Sequence, residues 1–133
     1  GKNEFLGMLL REIEVENKIR EYLQQNGFSV EPRTRRQGPD ILAKKDGKYC
    51  CVEVEGNMKP KEERSLAPSQ KYTHYFRAIG QLALRISEYP NSTYILGLPK
   101  DEYYQDKVSK TKVALEKLVI KVYFVTERGI EIL

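Results

Sequence analysis

Three carboxylates, Asp40, Glu53 and Glu55, flank a short turn at a spacing that predicts their convergence. Residues 39–45 read as a strand, Asp46-Gly47 as a two-residue hairpin turn, and residues 48–55 as the returning strand. Such a turn pairs Lys45 with Lys48, and counting outward sets Asp40 opposite Glu53. Directly paired residues share a face, with Cβ atoms roughly 4.5–5.5 Å apart. The strand period of two puts Glu55 on the same face. Acids held that close repel, and the arrangement becomes sensible around a divalent cation such as Mg²⁺ or Mn²⁺, which takes clustered oxygen ligands. An ion of that kind polarises a phosphoryl oxygen and lowers the pKa of water. The opposite hairpin face carries Ile41, Ala43, Cys50, Val52 and Val54, so one register gathers acids on one side and core residues on the other.

The elements that must position these acids follow from periodicity. A first helix is predicted over 4–25, with Ile13, Ile19, Tyr22 and Leu23 inward and Asn26-Gly27 as its stop. A short strand covers 28–30, and 31–38 is a polar, basic loop. After the hairpin, 56–73 reads as a mobile loop rich in Lys, Pro and Ser. A second helix covers 75–89 with Ile79, Leu82, Ala83 and Ile86 inward. Arg77, Gln81 and Arg85, spaced by four, share its polar face. A strand over 93–98, a third helix over 101–118 with Val108, Leu115 and Leu118 inward, a strand over 119–126 and a short last strand over 130–133 complete the chain. The order α-β-β-β-α-β-α-β implies an α/β fold with a central mixed sheet flanked by helices, in one domain spanning 1–133.

The charge is distributed to suit a polyanion. The net charge is +4, but between Arg33 and Arg77 eleven Lys/Arg stand against six Asp/Glu, three of which are the hairpin acids. A basic surround enclosing an acidic pocket suits phosphates held outside and a metal held inside. Arg33, Arg35 and Arg36 precede Asp40; Lys59, Lys61 and Lys71 follow the hairpin, and Arg77 opens the second helix. These are the nucleic-acid-binding candidates. Tyr72, Tyr75 and Phe76 are candidates for stacking on unpaired bases. Cys50 and Cys51 are adjacent in a strand and point to opposite faces, which argues against a disulfide between them and fits a cytoplasmic protein. There is one histidine, His74, which reads as a solvated loop residue; a His/Cys zinc site is not supported, and a serine triad has only that one candidate base. No apolar run is long enough to span a membrane and no signal-peptide pattern is present.

Gly38-Pro39-Asp40, a strand and turn, then Glu53-Val54-Glu55, resembles the PD-(D/E)xK nuclease superfamily, the restriction-endonuclease-like fold. Within it the chain is most similar to archaeal Holliday junction resolvases and their Mrr-like and RecB-like relatives. The run Glu16-Asn17-Lys18-Ile19-Arg20-Glu21-Tyr22-Leu23, followed by Asn26-Gly27-Phe28-Ser29-Val30, matches the opening helix, glycine-aromatic pair and short strand of that group. The resemblance implies metal-dependent hydrolysis of DNA phosphodiesters. It makes Asp40 and Glu53 metal ligands and Glu16 the helix carboxylate approaching the ion through water, with Glu12 one turn earlier as the alternative. Gln81 sits where RecB-like nucleases carry a glutamine, though the tyrosine usual four residues later is Arg85 here.

The departure is Glu55, where the family usually has lysine. An acid there implies a general base or a further metal ligand; alternatively, catalysis has been lost and the fold binds DNA or a partner protein. RNA is a further candidate substrate. The DNA would be branched or single-stranded on this resemblance, and a homodimer would supply the two sites that cutting two strands requires.

Overall fold

The computed structural model describes residues 9–33 and 37–133. The order is α1 (Glu12–Gln25), β1 (Ser29–Val30), β2 (Ile41–Lys45), β3 (Lys48–Val54), α2 (Pro68–Glu88), β4 (Thr93–Pro99), α3 (Glu102–Lys110), α4 (Lys112–Lys117), β5 (Ile120–Thr126) and β6 (Gly129–Ile132). The six strands lie side by side in chain order. β3, β4 and β5 run parallel and the flanking pairs are antiparallel, giving the expected mixed sheet. Each parallel step is made by a helical crossover, because a tight turn cannot reverse direction twice.

The strand alternation divides the core into two layers. Ile41, Ala43, Cys50, Val52, Val54 and Ile95 face α1, where Val15, Ile19 and Leu23 are buried against them. Cys51, Tyr94, Leu96, Leu98, Val122 and Phe124 face the other way, against Tyr75, Ala78 and Leu82 of α2 and Tyr104, Val108 and Leu115 of α3 and α4. Cys50 and Cys51 are free and lie in different layers. Burial pushes both thiols up, to about 12 and about 11, which makes them inert.

Several expectations change. α1 begins at Glu12 among the described residues, with residues 9–11 non-helical; Ile13 is 44% exposed and Val15 takes the inward position. α2 begins seven residues earlier than its periodicity suggested. Pro68 occupies the first turn, where its missing N–H costs nothing, and the Gln70 side chain accepts the Ala67 N–H at 2.8 Å. Proline here starts a helix instead of marking a loop. Ala83 on α2 is exposed. The segment before α2 is tied down by a Met58–Ser65 bridge, Lys59 N–H to Arg64 O (2.9 Å) and Leu66 N–H to Asn57 O (2.8 Å), so it has a defined path. The third helix is two, broken at Thr111, and Leu118 is part-exposed beyond its end.

Candidate active site

The hairpin has the register that the turn implies. Asp46 (φ 52°) and Gly47 (φ 78°) both take positive φ, as a type I′ turn requires. Lys45 pairs with Lys48, and the ladder continues to Ile41 opposite Val52. Asp40 and Glu53 come next, one step beyond the last pair, and they lock reciprocally. The Asp40 N–H donates to Glu53 Oε2 (3.2 Å), and the Val54 N–H donates to Asp40 Oδ2 (2.8 Å). Glu53 is buried, and burial, then the charge of Asp40, holds its pKa well above the usual carboxylate range.

A guanidinium from α2 reaches the same carboxylate. Arg85, 7% exposed, donates through Nε to Glu53 Oε1 (2.9 Å). Its Nη1 donates to Glu88 (2.6 Å), and its Nη2 to the Gly38 carbonyl (2.8 Å) and to Gln81 Oε1 (3.1 Å). One side chain thus ties α2 to β3 and to the segment leading into Asp40. Gln81 lines the cleft, and its one described polar contact is to Arg85. The polar face of Arg77, Gln81 and Arg85 was legible; that Arg85 is the buried member was not.

Glu55 is also buried, but α2 draws it aside. Arg77 Nη2 donates to both its oxygens (3.1 and 3.3 Å), and His74 Nδ1 lies 3.3 Å from Oε2. Burial raises Glu55 to about 8, against the lowering pull of Arg77. Burial, then the Arg77 charge, lower the His74 pKa, which weakens the ionic character of its 3.3 Å contact with Glu55. His74 is therefore not a solvated loop residue. Reading α2 as starting at 75 left it outside the helix that carries it to Glu55. Among the described residues no three His, Cys, Asp or Glu side chains stand together as a ready metal cage. Asp40 and Glu53 meet; Glu55 shares their cleft but is turned to its own partners.

The cleft measures about 570 Å³ and is lined by five carboxylates, Glu12, Asp40, Glu53, Glu55 and Glu88, against two guanidiniums, Arg77 and Arg85. Of the two α1 candidates, Glu12 and Glu16, Glu12 faces it. Its pKa is raised by burial and then by Asp40. Glu16 is held away by Arg20 Nε (2.8 Å) and Arg33 Nε (2.6 Å) and lines an adjoining groove. The two acids are one helical turn apart, and these two arginines decide which is free to face the cleft.

The basic candidates separate. Arg77, its side chain 52% exposed, stands on the cleft wall. Arg33 is committed to Glu16 and Asn17. Lys71 is turned inward to Asp101 (3.1 Å), which also accepts from Asn57 Nδ2 (2.9 Å) and caps α3 at Tyr104 N–H (2.7 Å). Lys71 is thus a structural cation and not a rim residue, because a buried Asp101 needs a partner. Lys59 lies 3.9 Å from Glu62, and Lys61 is exposed. Arg35 and Arg36 lie outside the described residues.

No protein-family model matches the sequence, and no curated protein matches it. A solved structure does match: a crystal structure of an XisH family protein from Nostoc punctiforme PCC 73102 shares the fold with a TM-score of 0.51. It is 20% identical, over 88% of this chain and 95% of that one. No described helix is long and apolar enough to cross a membrane.

Proposed function

We propose that this chain is a metal-dependent nuclease of restriction-endonuclease-like fold that hydrolyses DNA phosphodiesters, with Mg²⁺ or Mn²⁺ held by Asp40 and Glu53. The observation that carries the reading is the interlocked, half-buried Asp40–Glu53 pair in a cleft whose carboxylates outnumber its guanidiniums. The donor set fits. Mg²⁺ is satisfied by one or two carboxylates with water and substrate phosphate completing its shell, so a three-acid cage is not needed. When bound, the ion supplies charge neutralisation at the phosphoryl group.

The chain's own residues do the rest. The Val54 N–H and Arg85 hold Asp40 and Glu53 in fixed rotamers. Arg77, exposed beside Glu55, offers a cation to a non-bridging phosphate oxygen. Glu55 accepts the proton of the attacking water at a carboxylate oxygen, a role its pKa near 8 suits in mildly alkaline solution. The test is cleavage of plasmid, flap, junction and RNA substrates with Mg²⁺ or Mn²⁺. Asp40→Asn and Glu53→Gln should each lower the rate by about two orders of magnitude or more. Equal cleavage by wild type and Asp40→Asn would end the reading.

A second reading has its own support: Arg85 already satisfies Glu53 Oε1, and Glu55 stands where the nucleases that the sequence resembles carry lysine. On it the fold binds nucleic acid, or a partner protein, without cutting. Calorimetric titration decides between the two, since no heat of binding at millimolar Mn²⁺ favours the binder.

A further inference from the structure

Helix α2 carries a second surface that the cleft does not use. Tyr72 and Phe76, one turn apart, are 53% and 38% exposed, with ring centroids 4.7 Å apart. Two exposed aromatics normally give up that water contact when they have something to cover. The pair is braced from beneath. Phe76 meets buried Tyr75 edge-on (5.2 Å, 88°), Tyr75 stacks on buried Tyr104 (6.3 Å, 28°), and the Tyr75 hydroxyl bonds Thr111 (2.7 Å). An aromatic ladder therefore runs from the core to the surface and ends in two exposed rings packed on each other.

Cations stand beside the rings, and the nearby acid Asp106 is paired with Lys110 (2.9 Å). Lys107 of α3 sets its ammonium between two rings, 5.5 Å from the Tyr72 centroid and 5.3 Å from that of Tyr103. Arg77 is the residue after Phe76, rotated roughly 100° around the helix toward the cleft. Rings and cleft are thus separated only by the width of α2, about 10–12 Å with side chains. Gly80, exposed on the intervening face, has nothing within 4 Å of where a Cβ would stand, so the helix surface there is low and open.

We infer that Tyr72 and Phe76 form a stacking platform for unpaired bases, with Lys107 and Arg77 gripping the adjoining phosphates, so that the strand entering the cleft is single-stranded next to the bond to be cut. Aromatic faces accept any base while cations follow the backbone, the combination by which proteins hold single strands without reading sequence. A blunt duplex offers its π faces only at its ends and cannot use the rings. This deepens the nuclease reading and rests on it for the place of the scissile bond, but the platform itself is measured without chemistry.

The experiment is fluorescence-anisotropy binding of a labelled oligothymidylate and of a blunt duplex of equal length, in EDTA. The Tyr72→Ala/Phe76→Ala variant should lose single-strand affinity roughly tenfold or more, with duplex affinity changed less than about twofold. Tyr72→Phe/Phe76→Tyr should keep wild-type binding. Lys107→Ala should lower the salt dependence of single-strand binding by about one released ion. Unchanged single-strand affinity in the double alanine variant overturns the inference, as does an equal loss on both probes. A dimer that the variant dissociates while single-strand binding persists also overturns it and assigns the rings to a second copy. Wild type that binds and cuts only duplex defeats this inference and leaves the nuclease reading standing. Ring-dependent binding with no cleavage under any metal does the reverse.

Discussion

Replacing Arg85 with methionine tests whether the guanidinium or the metal is the counter-charge that Glu53 depends on. Methionine keeps most of the apolar stem and removes every donor. Four hydrogen bonds are lost, but they are not equal. Glu88 is 53% exposed, so its ion pair is screened and contributes close to nothing. The Gly38 carbonyl and Gln81 can turn to water in an open cleft. Glu53 cannot: it is 3% exposed, beside Asp40, and would be left as a buried, unpaired charge. Breaking such a pair from one side costs about 3–5 kcal/mol when the remaining group stays ionised. The lower end applies here, because Glu53 can escape by protonating. A loss of roughly 3 kcal/mol, near 10 °C in Tm at this chain length, is expected at pH 9 in EDTA. The loss should shrink toward pH 6, where the stranded carboxyl takes up a proton. Adding Glu53→Leu removes the orphan, so the double variant should be more stable than the sum of the single losses by roughly 2 kcal/mol. Urea denaturation at both pH values measures all three. Additive losses, or a loss in the single variant that does not change with pH, would refute the claim that Arg85 acts by compensating Glu53.

Two further outcomes follow from the same cleft. The folded-state pKa of Glu55 lies near 8, against an ordinary 4.5, and Glu53 is shifted the same way. Between those values the folded chain holds protons that the unfolded chain has released, so metal-free stability is highest below about pH 4.5 as far as these groups contribute, and falls as pH rises through 8. Metal binding must expel those protons, so Mn²⁺ affinity by calorimetry should rise from pH 6 to pH 8.5, with proton release to the buffer; pH-independent affinity would count against Glu53 as a ligand. Gly56→Ala should destabilise by about 1–3 kcal/mol in denaturant melts and weaken Mn²⁺ binding. A Cβ there would stand 2.5 Å from the Glu12 nitrogen and 2.7 Å from the Leu10 carbonyl oxygen, both backbone, and so would push the start of α1, with Glu12, off the cleft.

What could be read from sequence was what local rules decide. Asp46-Gly47 dictates a two-residue turn, and the alternation of Ile41, Ala43, Cys50 and Val52 dictates which face is core, so the Asp40–Glu53 pairing followed without any tertiary knowledge. The mixed sense of the sheet followed from the alternation of helices and strands; the side-by-side order of all six strands did not. What escaped was set by long-range choice. Pro68 looked like a breaker because its role at a helix start depends on the chain that precedes it, and the late start concealed His74. Glu12 and Glu16 have the same helical phase to within about 40°, and only their arginine partners, one of them from the loop after β1, separate them. Lys71 and Arg85 read as surface charges because lysine and arginine almost always are; here Lys71 is half-buried and Arg85 buried, each against an acid distant in sequence, Asp101 and Glu53.

Position 55 draws these strands together. A lysine there would place its ammonium, at a buried strand position, against Arg77, whose Nη2 lies 3.1 Å from a Glu55 oxygen, and so set two like charges in contact. The acid at 55 and the arginine at 77 are therefore mutually dependent across the interface of β3 and α2, with the cation of the pair carried by the helix. Glu55, a second high-pKa carboxyl in the cleft of Glu53, on the proposed chemistry gives a proton leaving the attacking water an acceptor other than Asp40. On the proposed chemistry the cation at the phosphate is then Arg77, and its partial exposure leaves it free to follow a substrate that Lys107 and the rings of Tyr72 and Phe76 hold on the far side of the same helix.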